Sequence, residues 1–429
     1  MGRDASYVSS TETGKVENRY HALHEDFARL CDFGGRLLGS ESERAAIAWV
    51  HDKLSEIGGR VESFPLLVPI WRPVRSRVTI DDTGEEFDCQ PMLRTVSTPA
   101  GGLGGALLDL GRGRPEDYAF IGNAVRGKIV MIEHEYPFSS THVHRREKIR
   151  LAIRHGAKAV LMRNPGDSGG LLSGSSDTAD GYKPIPCGYI SEECATRLQM
   201  QRSGDARVRI VLEGAETDAA TCIPSLLVGD PANPRIVLSA HVDGHPFGES
   251  ALDNASGVAV ALAATRCLAP MFLEHRAYAL QTIIFTAEEW SLFGSKRYVH
   301  ELSEPDRRNI RLNINLDTVA GSPNLTALTS NFPRLEPLVA QASQACDIKV
   351  DTHPTLMANS DHYSFARSGI PAFRLLAGFN EPESRVRHIL SGSDTRDKVK
   401  PRELERSLRF VCSFIETAAS RPDMLENLV

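Results

Sequence analysis

The sequence predicts an α/β protein: a mainly parallel, mixed sheet sandwiched by helices, with a smaller β-rich α/β unit inserted into it. Three observations predict this. Apolar runs of strand length alternate with helical stretches through the second half of the chain, the order that builds parallel sheets covered on both faces. The 429 residues exceed one ordinary core. A small-residue stretch, TPAGGLGG at 98–105, interrupts the composition where a boundary would fall. The expected division is 1–98 and 214–429 for the larger unit and 99–213 for the insert.

The N-terminal 17 residues are polar and read as frayed or lid-like, and a helical pattern begins at Glu17. A second helix is expected from the stripe Ala45, Ile47, Ala48, Val50, Leu54 and Ile57. Ser40 with Glu43 fits a capping box at its start, and Gly58-Gly59 stops it. Strands are expected over 61–71 and 76–80, with Pro65 and Pro69 favouring an edge. In the insert, 106–110, 128–133, 159–162 and 208–212 read as strands, 147–155 as a basic helix and 164–181 as a loop. After Glu216 the expected strands are 223–228, 235–240, 281–287, 309–316 and 370–376. Helices are expected after Asp253, over 335–345 and over 404–419.

Composition narrows the function. Hydrophobic content of 41% and charged content of 24% suit a soluble globular protein. A net charge of −6 gives no reason to expect nucleic acid or an anionic membrane as partner. The eight cysteines are scattered without a C-x-x-C pair, which favours free thiols over a disulfide framework. No leader-like apolar segment opens the chain, and no run of about 18 apolar residues suggests a membrane span. A cytoplasmic location is the expectation.

Chemistry gathers at strand ends. The run RIVLSA ends in His241-Val242-Asp243, QTIIFTA ends in Glu288-Glu289, and NINL ends in Asp317. Asp253 follows in the first loop and His388 in a late one. In an open α/β sheet such ends converge in one crevice. Several carboxylates brought together need a cation, and carboxylate with imidazole suits zinc. His134, His142 and His144 also suggest a metal cluster, but a solvated loop explains them more simply.

Five stretches occur in one characteristic order: HVDGHPFGESALDNASG (241–257), TAEEWSLFGS (286–295), NLDTVAG (315–321), SDHYSFARSGIPA (360–372) and RHILSGSDTRDKV (387–399). Together they resemble the co-catalytic dizinc exopeptidases, a superfamily including aminopeptidase Y, bacterial leucyl aminopeptidases, glutamate carboxypeptidases and the transferrin receptor ectodomain. The resemblance spans 221–401, extends to 35–58, and makes 101–213 similar to an inserted protease-associated domain. It implies a zinc exopeptidase fold, two zinc ions per chain and hydrolysis of short peptides or aminoacyl amides, and it leaves a homodimer open.

Residue by residue, the resemblance implies that His241 and Asp317 serve one zinc, Glu289 and His388 the other, and Asp253 both, with a cis bond to Asn254. It makes Glu288 the general base for a metal-bridged hydroxide and Asp243 the support behind His241. It places Asp361 in the network around the substrate. Two features depart from it. His388 lies six residues before Asp394, a longer gap than in many members, which leaves His362 as a rival ligand. Arg387 stands where many members have an aromatic residue, which suggests a site-facing guanidinium. His245 is expected near the site as an outer support or a substrate contact. The rival functions are glutaminyl cyclase-like chemistry, a carboxypeptidase using Arg387 or Arg374, and a non-catalytic receptor-like module.

Overall fold

The computed structural model describes residues 10–164, 170–176, 183–201, 206–274 and 277–428. The frayed stretch expected at the N-terminus lies outside these residues up to position 9, and the 164–181 loop lies partly outside them. The first helix, α1 (Ser10–Asp32), begins ahead of the expected Glu17. The second, α2 (Glu41–Ile57), buries Ala46, Ile47, Val50 and Leu54. Ser40 Oγ caps it by accepting from Glu43 N at 3.1 Å. The Glu43 carboxylate reaches past the cap to Gly39 N and accepts from Thr221 and Thr286 as well.

The strands are β1 (Arg60–Ile80), β2 (Glu86–Pro91), β3 (Leu103–Asp109), β4 (Ile129–Glu133), β5 (Ala159–Arg163), β6 (Cys187–Ile190), β7 (Arg207–Val228), β8 (Arg235–His241), β9 (Ala279–Phe285), β10 (Ile310–Leu316), β11 (Leu325–Leu328), β12 (Val350–His353) and β13 (Ala372–Ala377). The two strands expected at 61–80 are one, β1, which pairs antiparallel with β7 from Arg60↔Leu227 to Ile80↔Val208 and slips register between Pro73 and Arg75. Pro65, Pro69 and Pro73 offer no N–H, and β1 tolerates them because β7 is its one neighbour along that half.

Strand pairing makes two bodies that share β1 and β7. In the insert the order β1-β2-β6-β5-β4-β3-β7 returns to β1, a closed ring with β3 to β6 parallel. It is flanked by α3 (Pro115–Ile121), α4 (Arg145–Arg154) and α5 (Glu192–Gln199). On strand pairing the ring already includes residues 77–80 of β1 and all of β2, upstream of the expected boundary at 99. The larger body continues as β7-β9-β8-β10-β13-β11-β12, parallel from β9 to β13.

Its central helix, α6 (Ser256–Glu274), buries every side chain from Ser256 to Thr265. Small residues all round let it lie close to the sheet, and each buried Val or Leu contributes roughly 1.5–3 kcal/mol. By length and composition the segment Ala251–Glu274, which ends in α6, is apolar enough to cross a membrane, contrary to expectation; here α6 forms the main core with α1 and with α11, introduced below. The remaining helices are α7 (Phe293–Glu301), α8 (Glu304–Asn309), α9 (Leu335–Cys346), α10 (His362–Arg367), α11 (Pro401–Ser420) and α12 (Pro422–Leu425).

Topology locates the site. From β8 the chain goes to β9 on one side and later lays β10 on the other, a switch point at which a crevice opens beyond the strand ends. Parallel register pairs His241 with Phe285 and Ser239 with Asn315, so Asp317 is level with His241.

Candidate metal centre

Two buried clusters occupy that crevice and share one carboxylate. The ligand atoms of His241, Asp253 and Asp317 lie within 4.8 Å of one another, and so do those of His245, Asp253 and Glu289. His241 Nε2 is 3.2 Å from Asp253 Oδ1 and 3.6 Å from Asp317 Oδ1. His245 Nε2 is 2.6 Å from Glu289 Oε1.

The local chain is held from behind. Arg36, fully buried, donates to five backbone carbonyls: Val242, Glu249 and Ser250 in the loop after β8, and Leu30 and Gly34 near the end of α1. Asp394 accepts from Leu252 N at 2.7 Å and Asp253 N at 3.2 Å. Asn254 donates to Leu316 O and accepts from Gly257 N and Thr318 N, tying the Asp253 loop to the Asp317 loop. A Cβ at Gly257 would lie 2.3 Å from Leu316 O, so only glycine allows this approach. The Asp253–Asn254 bond is cis.

Asp243 supports His241 through its backbone carbonyl rather than, as expected, through its carboxylate, whose Oδ1 lies 3.6 Å from Nδ1. The His241 Nδ1–H donates to Asp243 O at 3.1 Å, which turns Nε2 toward Asp253 and Asp317. The Asp243 carboxylate also accepts from Glu288 N and Glu289 N, at 3.1 and 3.2 Å, and so fixes both acids of the neighbouring strand end. Arg374, buried, pairs with Asp317 Oδ2 at 3.1 Å and stacks on Phe138 of the insert.

The protein alone leaves this site electrostatically unsatisfied. Burial, with repulsion from neighbouring carboxylates, holds Glu288 and Glu289 well above the usual range. Burial and the charges of Asp243 and Asp317 raise Asp361 to about 7. Burial opposes charge on His241, but Glu288, Asp243, Asp253 and Asp317 outweigh it and hold its pKa well up. Burial lowers His245 to about 4, so it is neutral and able to ligate at pH 7. His241 Nε2, His245 Nε2, Asp253 Oδ1 and Glu289 Oε1 are buried without a hydrogen-bond partner. Acceptor and lone-pair atoms converging in this way fit cations, and the N/O donor set fits zinc.

Several expected site residues lie apart from the two clusters. His388 joins neither cluster. Asp394 is pinned to the Asp253 loop, and the long segment before it turns Ile389 and Leu390 toward the chamber. His388 is left half-buried in the turn Arg385–His388, with Lys398, Arg387 and Asp397 as its charged neighbours. His245 stands beside Glu289 instead. Arg387 is exposed and pairs with Glu383 at 3.0 Å, outside the site. Asp361 is fully buried beside the acids but accepts no hydrogen bond of normal geometry. The rival ligand His362 is buried with neither ring nitrogen partnered and belongs to neither cluster.

The clusters open onto a chamber of about 50 Å³ lined by Asp253, Glu288, Glu289 and Asp317 on one wall. The other wall is the insert's Pro137, Phe138, His144, Arg145, Arg146 and Ser175. Docking is fixed by Tyr136 Oη to Gly378 O at 2.7 Å, Ser175 Oγ to Ser291 Oγ at 2.6 Å and Ser173 N to Leu390 O at 2.8 Å. His142 and His144 therefore sit half-buried along the cleft rather than in a solvated loop, and neither they nor His134 form a metal triad among the described residues. Arg36 and the insert's arginines carry no pattern in the sequence that marks them. Asp394 lies inside the last matching stretch, and the sequence suggests Arg374 only as a substrate-binding alternative rather than as the partner of Asp317.

Known proteins resemble this chain in family profile and in fold. The profile of peptidase family M28 matches residues 223–415, and that of the PA domain matches residues 95–198. The chain is 25% identical to aminopeptidase YwaD of Bacillus subtilis, over 90% of this chain and 84% of that protein. It is 25% identical to a probable lipoprotein aminopeptidase, LpqL, of Mycobacterium tuberculosis, over 88% of this chain and 76% of that one. The crystal structure of a zinc aminopeptidase from Bacillus subtilis superposes with a TM-score of 0.74 at 21% identity, covering 93% of this chain and 95% of the other.

Proposed function

The chain belongs to peptidase family M28 with a PA domain inserted in it, and from that premise we propose that it is a dizinc aminopeptidase acting on short peptides or aminoacyl amides. One observation carries the reading: two buried clusters share Asp253, and four of their facing atoms, on His241, His245, Asp253 and Glu289, make no hydrogen bond. His241, Asp253 and Asp317 would hold one ion, and Asp253, Glu289 and His245 the other. Bound zinc supplies polarisation of the scissile carbonyl and acidification of water.

The chain's own residues do the rest. The Glu288 carboxylate, fixed through its backbone N–H on Asp243, takes a proton from the attacking water and passes it to the leaving amine nitrogen. Asp243 keeps His241 in the tautomer that presents Nε2. Arg374 orients Asp317 from outside the cluster. The insert closes the other wall and limits the size of what enters.

The eight free cysteines support a reducing, cytoplasmic setting. A glutaminyl cyclase-like reading needs one ion, and a receptor-like module needs a decayed site; the paired clusters support neither. A carboxypeptidase that used Arg374 would compete with that residue's engagement of Asp317.

The test is metal analysis of the purified protein followed by assays with and without chelator. Expected are turnover of leucine p-nitroanilide and free-amine peptides, sparing of N-acetylated ones, and loss of activity on chelation. Full activity in the chelated protein, or equal cleavage of N-blocked peptides, would overturn the proposal.

A further inference from the structure

A second cavity, about 370 Å³, opens beside the chamber and shares with it His144, Arg146, Leu292 and Asn359. Its charge is opposite to that of the metal wall. Among the described residues, Arg146, Arg150 and Lys296 line it, against one carboxylate, Glu147. Glu147 is already engaged by Arg150 at 3.4 Å and Arg154 at 3.9 Å. The cavity is also composite. Arg146 and Arg150 stand on α4 of the PA domain, whereas Lys296 stands on α7 of the peptidase body, and Arg146 bridges the two by donating to Ala358 O. It therefore exists only where the insert docks over the strand ends. Arg145 carries the same basic helix into the chamber itself, where it is held by donation to Ser175 O at 3.0 Å.

We propose that this cavity binds a carboxylate carried by the substrate on the leaving-group side of the scissile bond, so that the enzyme selects short peptides with negative charge there. The inference rests on the exopeptidase reading above. A substrate held by its amino end at the metal wall extends from the chamber only on the leaving side. The two cavities share four lining residues, so a chain that advances about 3.3–3.6 Å per residue beyond the bond runs directly into this one. Guanidinium and ammonium groups in a half-enclosed site bind carboxylates more strongly than the same groups in open water. Water takes about 30 Å³ per molecule in the liquid, so the cavity has room for a terminal residue with its hydration. The carboxylate has two sources, the peptide's C-terminus or an acidic side chain, and the test separates them.

The experiment compares kcat/KM within pairs of substrates on the zinc-loaded full chain. Leu-Gly-Gly against its C-terminal amide reads the terminal carboxylate. Leu-Glu-amide against Leu-Gln-amide reads the side chain. Leucine p-nitroanilide, which carries no carboxylate, reports the aminopeptidase reaction itself. Wild type is expected to favour the charged member of at least one pair by about tenfold or more, the worth of one charge-assisted hydrogen bond. Arg150→Glu or Lys296→Glu should bring that ratio to unity or below; a ratio is insensitive to a variant that merely folds less well. Ratios near one in wild type, with p-nitroanilide turned over, would overturn this inference and leave the aminopeptidase reading standing. A preference that persists undiminished in both variants would also overturn it. No turnover of any substrate would overturn both.

Discussion

The two walls of the chamber are built in opposite ways. The metal wall comes from the ends of three parallel strands and the loops after them; its acids and imidazoles are buried, and atoms of His241, His245, Asp253 and Glu289 face one another without hydrogen bonds. The PA-domain wall comes from the loop before α4, the first turn of α4 and the loop that carries Ser175; it sets the half-buried His144, Arg145 and Arg146 beside the buried Phe138 and Ser175. The metal wall is held by backbone contacts to Arg36, Asp243 and Asp394. The insert's wall is held by docking contacts made largely through side chains. The difference suggests a division of labour in which fixed geometry serves chemistry and the docked insert serves selection.

The largest effect expected from attacking the metal wall is at Glu288. Replacement by Gln should lower kcat by about 10²–10⁴ while zinc content stays at the wild-type level, because proton transfer is lost and the ligands are kept. Loss of zinc in that variant would make Glu288 a ligand and blur the division.

Arg36 tests how firmly the same wall is held. Arg36→Ala leaves five carbonyls, three buried and two partly buried, short of a donor and should cost on the order of 4 kcal/mol, read as a fall in Tm or in denaturant midpoint. An Arg36→Ala protein as stable as wild type would show that the loop holds itself.

A smaller effect, confined to acid, is expected in the insert. The Glu135 side chain is nearly buried among Arg112, Arg114 and Lys148. Burial alone would raise its pKa, but these cations outweigh it and push it down to about 2 from an ordinary 4.5. A depressed carboxylate contributes stability that is fully present above its unfolded pKa and is lost as pH falls toward its folded one. Wild type should therefore lose stability between about pH 4.5 and 2. Glu135→Gln should be less stable at neutral pH and flatter across that window. Parallel unfolding curves for the two proteins would remove Glu135 from the account.

Much of the metal wall was legible because strand ends follow a rule. RIVLSA, QTIIFTA and NINL are apolar runs closed by polar residues, and parallel pairing brings such closures together whatever lies between them. His388 sits in an irregular turn, where no period fixes the direction of a side chain, and the added length before Asp394 turned Ile389 and Leu390 inward in its place. His245 is close to His241 in sequence, but its direction depends on the loop that Arg36 ties down. Arg36 itself, in GRLLGS, looks like any surface arginine, because burial of a charge among carbonyls leaves no trace in hydropathy. Short polar strands such as β2, EFDCQP, escaped the pattern because their pairing comes from the closed ring rather than from their own composition.

The central claim, two cations bridged by Asp253 with His245 on the second, is tested most directly by zinc stoichiometry in three proteins. The account expects two zinc per chain in wild type and in His388→Ala, and a drop to one in His245→Ala, since losing a ligand should exceed the about 10- to 100-fold affinity cost of losing an outer support. One zinc in His388→Ala together with two in His245→Ala would contradict it.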